Sequence, residues 1–246
     1  MKYVSAFFLL IILILNCDNR TDTTNQPHQA AFQADMVAVK DSTGYGNVVD
    51  IAFKRDAIPF DNAVITVADQ IIPRVASGRY RATSPSLSLP YGLTSVLFRS
   101  TADNYSSTVS FEIPGPFQIQ EINPRSNSNG GSVLVRWGLP QAQDNVNFFI
   151  SVVGKNYQTT SSRPMAYAVG SDRSFNIPDT AFEDDSGYLV PDIYFVYVGA
   201  YTRGFMAYWG EPCPIPSTLP LRTLSDPAGL MGYGQIAPYD SIFVNY

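Results

Sequence analysis

The feature that most constrains the fold is a long succession of short apolar runs separated by turn residues, which begins near Phe32. The runs are rich in β-branched and aromatic residues, and Gly, Pro, Asn and Asp stand between them. Such residues favour a pleated, half-buried surface, whereas an amphipathic helix needs apolar residues at a period of about 3.6. No helix of ordinary length is predicted in this part of the chain. We therefore predict an all-β protein made of two consecutive β-sandwich domains.

The first predicted domain covers residues 32–114. Its predicted strands are 36–39, 48–53, 63–67, 71–75, 79–83, 94–99 and 108–113. This density of short strands is typical of an immunoglobulin-like sandwich. The run at 63–67, followed by Gly78-Arg79-Tyr80, resembles small bacterial Ig-like or carboxypeptidase-regulatory-like modules.

The segment Pro114-Gly115-Pro116 marks the predicted boundary between the two domains. Proline cannot continue a hydrogen-bonded ladder, and a short Pro-Gly segment makes a stiff joint. The second predicted domain covers residues 115–210. Residues 211–246 are rich in Pro, Gly and Tyr and form a C-terminal extension, which we expect to pack on the second sandwich. A strand is predicted near its end, and residues 226–231 are interpreted as one helical turn.

Two motifs indicate the architecture of the second domain. Residues 133–140 read VLVRWGLP, and residues 189–204 read LVPDIYFVYVGAYTRG. These motifs resemble the strand with the core tryptophan and the tyrosine-corner strand of fibronectin type III domains. The resemblance implies that Trp137 and Tyr194 are buried, and alternation along the strand places Val196, Val198 and Ala200 on the same face as Tyr194. It implies no function, because this fold serves adhesion, spacing and binding alike.

The same alternation predicts an aromatic outer face on the second sandwich. A further strand is predicted at 205–209, with Phe205 pointing inward. Five aromatic residues expected on this outer face form the candidate binding face: Phe149, Phe195, Tyr197, Tyr201 and Tyr208. A soluble domain rarely leaves such a surface bare, so we expect the extension or the first sandwich to cover it. Where this cover is partial, the tyrosines are the best platform for a partner.

The N-terminus predicts export and anchoring. Lys2 precedes an apolar run of about 12 residues, which spans roughly 18 Å as a helix and is too short to cross a bilayer core of about 30 Å. The run ends at Asn16-Cys17, with Ile14 three positions before the cysteine. This pattern resembles a bacterial lipoprotein signal. The resemblance implies a signal peptide at residues 1–16 and acylation of Cys17, for example with palmitate.

Residues 17–31 are predicted to be a flexible tether, because the segment after Cys17 is polar and has little to bury. The lipoprotein resemblance implies a membrane-anchored location in the bacterial cell envelope, facing the periplasm or at the cell surface. The alternatives are an ordinary secretory peptide and an uncleaved signal anchor. In both of these, the thiol of Cys17 is incidental.

Composition argues against several classes of function. The formal net charge of −5 argues against nucleic acid as a partner. His28 is the single histidine and lies in the predicted tether, so neither a histidine-based nucleophile system nor a His-rich zinc site is expected. Cys213 lies in a proline-rich segment without a basic neighbour, which argues against a redox role. We predict no enzyme, no catalytic residue and no cofactor.

The densest acidic cluster is Glu183, Asp184 and Asp185, in the loop before the tyrosine-corner strand. The favoured interpretation is a polar loop cap. A calcium site is an alternative metal-binding interpretation, although the alternating carboxylate spacing that wraps the ion is missing. Paired carboxylates working without histidine would be needed for a carbohydrate-active enzyme, which is the least favoured function. The glycine-rich run at 229–234 is interpreted as a flexible turn.

The sequence favours a membrane-anchored, non-catalytic envelope lipoprotein that acts as a binding or spacer module. Its partner would be another envelope protein, a polysaccharide or a host surface. An accessory subunit of an envelope secretion or polymer-export complex is the alternative.

Overall fold

The strands of this protein were located in a computed structural model, which describes residues 31–128, 130–138, 145–206 and 214–245. The predicted signal peptide, Cys17 and residues 18–30 of the tether lie outside these ranges, as do Tyr208 and Cys213. Within the described ranges, no helix is long and apolar enough to cross a membrane.

The described residues confirm the all-β prediction. Apart from a 3₁₀ helix at Asp179–Phe182, their regular structure is strand. In chain order the strands are β1 (Phe32–Asp41), β2 (Val48–Arg55), β3 (Ile58–Pro59), β4 (Val64–Val67), β5 (Gln70–Ile71), β6 (Arg74–Ala76), β7 (Arg79–Thr83), β8 (Gly92–Ser100), β9 (Tyr105–Ile113), β10 (Gln118–Asn123), β11 (Ser126–Asn127), β12 (Val133–Gly138), β13 (Asn147–Gly154), β14 (Met165–Gly170), β15 (Ser174–Ile177), β16 (Asp192–Tyr201), β17 (Arg222–Ser225), β18 (Ala228–Ile236) and β19 (Asp240–Val244).

These strands build two sandwiches that share one large sheet. A 12-stranded sheet has the main order β11-β19-β16-β18-β1-β2-β7-β6, with β13, β14, β17 and β3 attached to it. In the first half, the sheet β5-β4-β8-β9 completes the sandwich, and in the second half the sheet β10-β12-β15 does so. Residues 31–246 accordingly form one compact unit.

Period-2 alternation explains most strand positions. In β8, Val96 and Phe98 are fully buried while their neighbours are less so, which is typical of a strand with one face on a core. Strand β1 differs, because Met36, Val37, Ala38 and Val39 are all buried. A strand that is buried on both faces must be covered by a layer on each side.

The C-terminal extension supplies strands to both halves of the molecule. Strand β19 pairs with β16 antiparallel, whereas β18 pairs with β1 parallel, from Gln33↔Ala228 to Asp41↔Ile236. Strand β18 also pairs with the end of β16. The extension therefore completes sheets in both halves rather than packing on the second sandwich alone.

The structure corrects three local predictions. Residues 226–231 contain the turn of the β17–β18 hairpin and the start of β18 instead of a helical turn, so the glycine-rich run at 229–234 belongs to a strand. The predicted strand at 71–75 is divided between β5 and β6. Phe205 and Met206 belong to no strand, and the remainder of that predicted strand lies outside the described ranges.

Candidate functional site

The core of the second sandwich has the arrangement that its motifs predict. Trp137 and Tyr194 are 2% and 0% exposed and belong to one buried cluster. Val196, Val198 and Ala200 belong to the same cluster, which confirms the predicted strand register. The Tyr194 hydroxyl donates to the Val190 carbonyl oxygen at 3.0 Å, and burial raises the pKa of Tyr194 to about 12. This is the tyrosine-corner hydrogen bond, and it ties the strand to the loop before it.

The predicted aromatic outer face is covered by the chain itself. Phe149, Tyr197 and Tyr201 are at most 4% exposed. We call the group that buries them the interlayer cluster; it consists of Val37, Val39, Val48, Phe149, Val153, Tyr197, Tyr201, Phe205, Leu219 and Ile236. Its members come from the first sandwich, the second sandwich and the extension.

This burial corrects the candidate binding face, since a platform for a partner needs exposed side chains. Phe195 is half-buried at the edge of the interlayer cluster, and its ring centroid lies 5.1 Å from that of Tyr239. The ring centroid of Tyr239 also lies 5.5 Å from that of Tyr197, and Tyr239 is 46% exposed. Tyr208 lies outside the described residues.

Phe205 lies in the interlayer cluster and not in the sandwich core as predicted. Its ring centroid is 5.0 Å from that of Phe149. The reason is the shape of β18, where a Cβ on Gly234 would lie 2.7 Å from the Phe205 ring and a Cβ on Gly232 would lie 2.7 Å from Met206. The glycines of β18 therefore provide the space in which Phe205 and Met206 pack.

The acidic loop is a hydrogen-bonded turn. Asp184 Oδ1 accepts from the backbone N–H groups of Ser186 and Tyr188, at 2.8 and 3.1 Å. Asp185 is 83% exposed and forms an ion pair with Arg163 at 2.6 Å. Within the described ranges, no group of three or more His, Cys, Asp or Glu side chains is placed to hold a metal ion. Glu183, Asp184 and Asp185 therefore do not form such a group.

A polar cleft lies where the two sandwiches and the extension meet. Its volume is about 590 Å³. Its lining residues come from β8 and β9, from segments flanking β13 and β16, and from β17 and β18: Leu93, Ser110, Phe111, Glu112, Asn145, Thr202, Arg203, Arg222 and Tyr233. The sequence did not predict this cleft, because these residues are far apart in the chain and each looks ordinary in its own segment.

Hydrogen bonds fix the walls of the cleft. Thr202 Oγ1 donates to the Glu112 carbonyl oxygen at 3.4 Å, and the backbone N–H of Tyr233 donates to the Gly204 carbonyl oxygen at 3.1 Å. On the other side, the Arg222 guanidinium donates to the Ser110 carbonyl oxygen. Phe111 and Tyr233 also line the cleft, and their ring centroids lie 5.5 Å apart.

The charges of the cleft favour an anion. Its lining residues include two arginines, Arg203 and Arg222, and one acidic residue, Glu112, so their formal charges sum to +1. The whole chain carries −5. A cationic concavity on an acidic protein concentrates anions locally.

No protein-family model matches this chain, and no curated protein matches it. The FN1–FN3 domains of chicken CNTN1 are similar at 12% identity and a TM-score of 0.29, over 86% of this chain and 64% of that one. The three N-terminal domains of the highly immunogenic outer capsid protein of bacteriophage RB49 are similar at 12% identity and a TM-score of 0.24, over 88% and 58%.

The chain thus spans less than two thirds of either solved structure. At these TM-scores the similarity supports no argument about function, and the sandwich architecture rests on the strand pairing described above.

Proposed function

We propose that this protein is a non-catalytic binding or spacer module of the bacterial cell envelope, anchored to a membrane by lipid on Cys17. The observation that carries the proposal is the continuity of the large sheet, in which β18 pairs with β1 and β16. A single sheet through both sandwiches prevents them from moving independently. Such a unit suits a protein that holds a surface at a fixed distance from its anchor.

The residues available for chemistry support a non-catalytic role. The single histidine, His28, precedes the described residues. Asp184 accepts a hydrogen bond from the backbone N–H of Ser186, and Asp185 forms an ion pair with Arg163. A carboxylate-only hydrolase would need two facing carboxyl groups about 5 to 9 Å apart in a cleft. The cleft described above is lined by a single acidic residue, Glu112.

The membrane anchor is supported by the sequence of the leader. Lipid on a cysteine contributes about 0.8 kcal/mol for each buried CH₂ group, so several acyl chains would anchor the chain firmly. Cleavage before Cys17 would also remove the apolar run, leaving the lipid as the attachment to the bilayer.

The anchor is tested by metabolic labelling of the full chain in a bacterial host with a clickable palmitate analogue. The label should enter the wild-type protein and the Cys213→Ser variant equally, because Cys213 is the other cysteine of the chain. It should be lost in Cys17→Ser, which should also leave the membrane fraction. Mass spectrometry of the wild-type N-terminus should find acylated Cys17 as the first residue. Equal labelling of Cys17→Ser would disprove the anchor.

The binding-or-spacer role is tested against the accessory-subunit alternative by crosslinking in native envelopes. A stoichiometric, stable complex with a fixed set of envelope proteins would favour the accessory subunit. Migration as a single chain after mild solubilisation would favour the independent module.

A further inference from the structure

We propose that the cleft between the sandwiches binds an acidic saccharide, through a sugar carboxylate held by Arg203 and hydroxyl groups held by the surrounding polar side chains. The proposal deepens the binding role proposed above and names its ligand class. It rests on the cleft itself, which is assembled from both sandwiches and the extension and would be absent from either half alone.

Arg203 is placed to receive the carboxylate. Its two neighbours are held by hydrogen bonds, since Thr202 bonds to the Glu112 carbonyl on one side and Gly204 accepts from Tyr233 on the other. A Cβ on Gly204 would lie 2.1 Å from the Pro220 carbonyl oxygen, so the extension passes directly against this segment. Arg203 itself is exposed, and no ion pair links it to another described residue. A guanidinium in this position can hold a carboxylate through two parallel hydrogen bonds.

Arg222 provides a second, less mobile cation. Its bond to the Ser110 carbonyl uses one of its five N–H donors, and the β17–β18 ladder pairs Arg222 with Met231. The guanidinium is therefore held against β9 with further donors that can reach a ligand. Together the two arginines favour a ligand that carries negative charge along part of its length.

The remaining lining suits sugar hydroxyls better than an apolar ligand. Glu112 accepts hydrogen bonds, Asn145 and the Ser110 hydroxyl donate and accept them, and the Thr202 hydroxyl, which donates to the Glu112 carbonyl, can accept them. Leu93, which is 77% exposed, provides an apolar edge for the carbon face of a sugar ring. The volume of about 590 Å³ lies within the range of roughly 300 to 1,000 Å³ that is common for small-ligand sites.

The proposal is tested with the full chain in detergent by isothermal titration with trigalacturonate. Maltotriose, a neutral sugar of similar length, a short oligoglutamate peptide and inorganic phosphate serve as comparison ligands. Saturable binding of trigalacturonate that weakens with added salt is expected, with weaker binding of the other three.

Substitutions locate the binding. Arg203→Ala should weaken trigalacturonate binding roughly tenfold or more, because a charge-assisted hydrogen-bonded pair is lost. Arg203→Lys should restore part of the affinity, since it keeps the charge but loses the planar fork. Arg99→Ala is the matched control, because Arg99 is an exposed arginine on β8 outside the cleft lining, and it should bind like the wild type.

Three results would overturn the proposal. They are absence of saturable binding, equal affinity of wild type and Arg203→Ala, and tighter binding of phosphate or oligoglutamate than of trigalacturonate. Failure here is separate from failure of the anchor, because palmitate labelling does not depend on the cleft. It is also separate from failure of the module role, since a spacer needs no small ligand.

Discussion

With its side-chain amide oriented so that the nitrogen faces the acceptors, Gln235 donates hydrogen bonds to the carbonyl oxygens of Pro114 and Gly115, at 2.9 and 2.8 Å. Gln235 lies on β18 and is 1% exposed, while Pro114 and Gly115 form the segment between the two sandwiches. A residue of the C-terminal extension therefore supplies hydrogen-bond donors to the backbone carbonyls of the segment between the sandwiches. The joint is held by tertiary contacts and not by the stiffness of its prolines alone.

Removal of the Gln235 donor should destabilise the whole described unit. Gln235→Met keeps the length of the side chain but leaves two carbonyl oxygens at the joint without this partner. The free energy of unfolding should fall by about 1–3 kcal/mol, as measured by chemical denaturation. Gln33→Met is the matched control, because Gln33 is exposed on the neighbouring strand β1, and its effect should be small. Equal losses in the two variants would contradict the role of the amide.

Gly199 should tolerate no larger side chain while Phe149 is present. The two residues are cross-strand partners, and a Cβ on Gly199 would lie 2.0 Å from the Phe149 ring. Gly199→Ala should therefore lower the free energy of unfolding by about 1–3 kcal/mol through overpacking. In a double-mutant cycle, Phe149→Ala should make the Gly199→Ala substitution less costly. Strict additivity of the two substitutions would show that the ring does not lie over Gly199.

Trp137 should contribute strongly to the second sandwich. Its ring centroid lies 5.5 Å from that of Phe148, in a cluster drawn from both facing sheets. Trp137→Ala should cost about 3–5 kcal/mol through cavity formation, measured by denaturant unfolding. Tyr188→Ala, at a side chain that is 72% exposed, should cost far less. A small loss for Trp137→Ala would place the tryptophan outside the core.

Truncation after residue 210 should destabilise both sandwiches and not only remove the C-terminal extension. It removes β18, which pairs with β1, and β19, which pairs with β16. It also uncovers the interlayer cluster, which includes Leu219 and Ile236. The truncated chain should aggregate or lose its cooperative unfolding transition in circular dichroism. A soluble fragment as stable as the full chain would show that the extension is dispensable.

Stability should decrease in acid partly through Asp240. Its hydrogen bonds to Arg125, at 2.8 and 2.7 Å, hold the pKa of the Asp240 carboxyl below its usual range. A carboxyl group with a lowered pKa in the folded state stabilises the fold above its unfolded pKa. That stabilisation is lost as pH falls through the folded pKa.

Asp240→Asn should accordingly reduce the difference in free energy of unfolding between about pH 7 and about pH 3. An unchanged pH dependence in Asp240→Asn would contradict the assigned role of the pair.

The aromatic and β-branched runs alone determined the all-β class and most individual strands. Alternation predicted which residues of β16 face the core, because side chains of a strand point to opposite sides at every step. The resemblance of the VLVRWGLP motif and the tyrosine-corner motif to fibronectin type III strands implied the burial of Trp137 and Tyr194, and both are buried. Alternation also indicated that Phe149, Tyr197 and Tyr201 need cover, although it left the covering element open.

The tertiary structure alone decided what provides that cover and where the cleft lies. Strand β18 carries glycines where a strand usually carries bulky residues, so its sequence predicted a turn. Those glycines allow Phe205 and Met206 to approach, and this depends on contacts absent from the local sequence. The pairing of β1 with β18 joins residues near opposite ends of the chain, and no local pattern encodes such a partner. The cleft likewise exists only in the folded unit, because its lining combines residues of β8 and β9 with segments beside β13 and β16 and with β17 and β18.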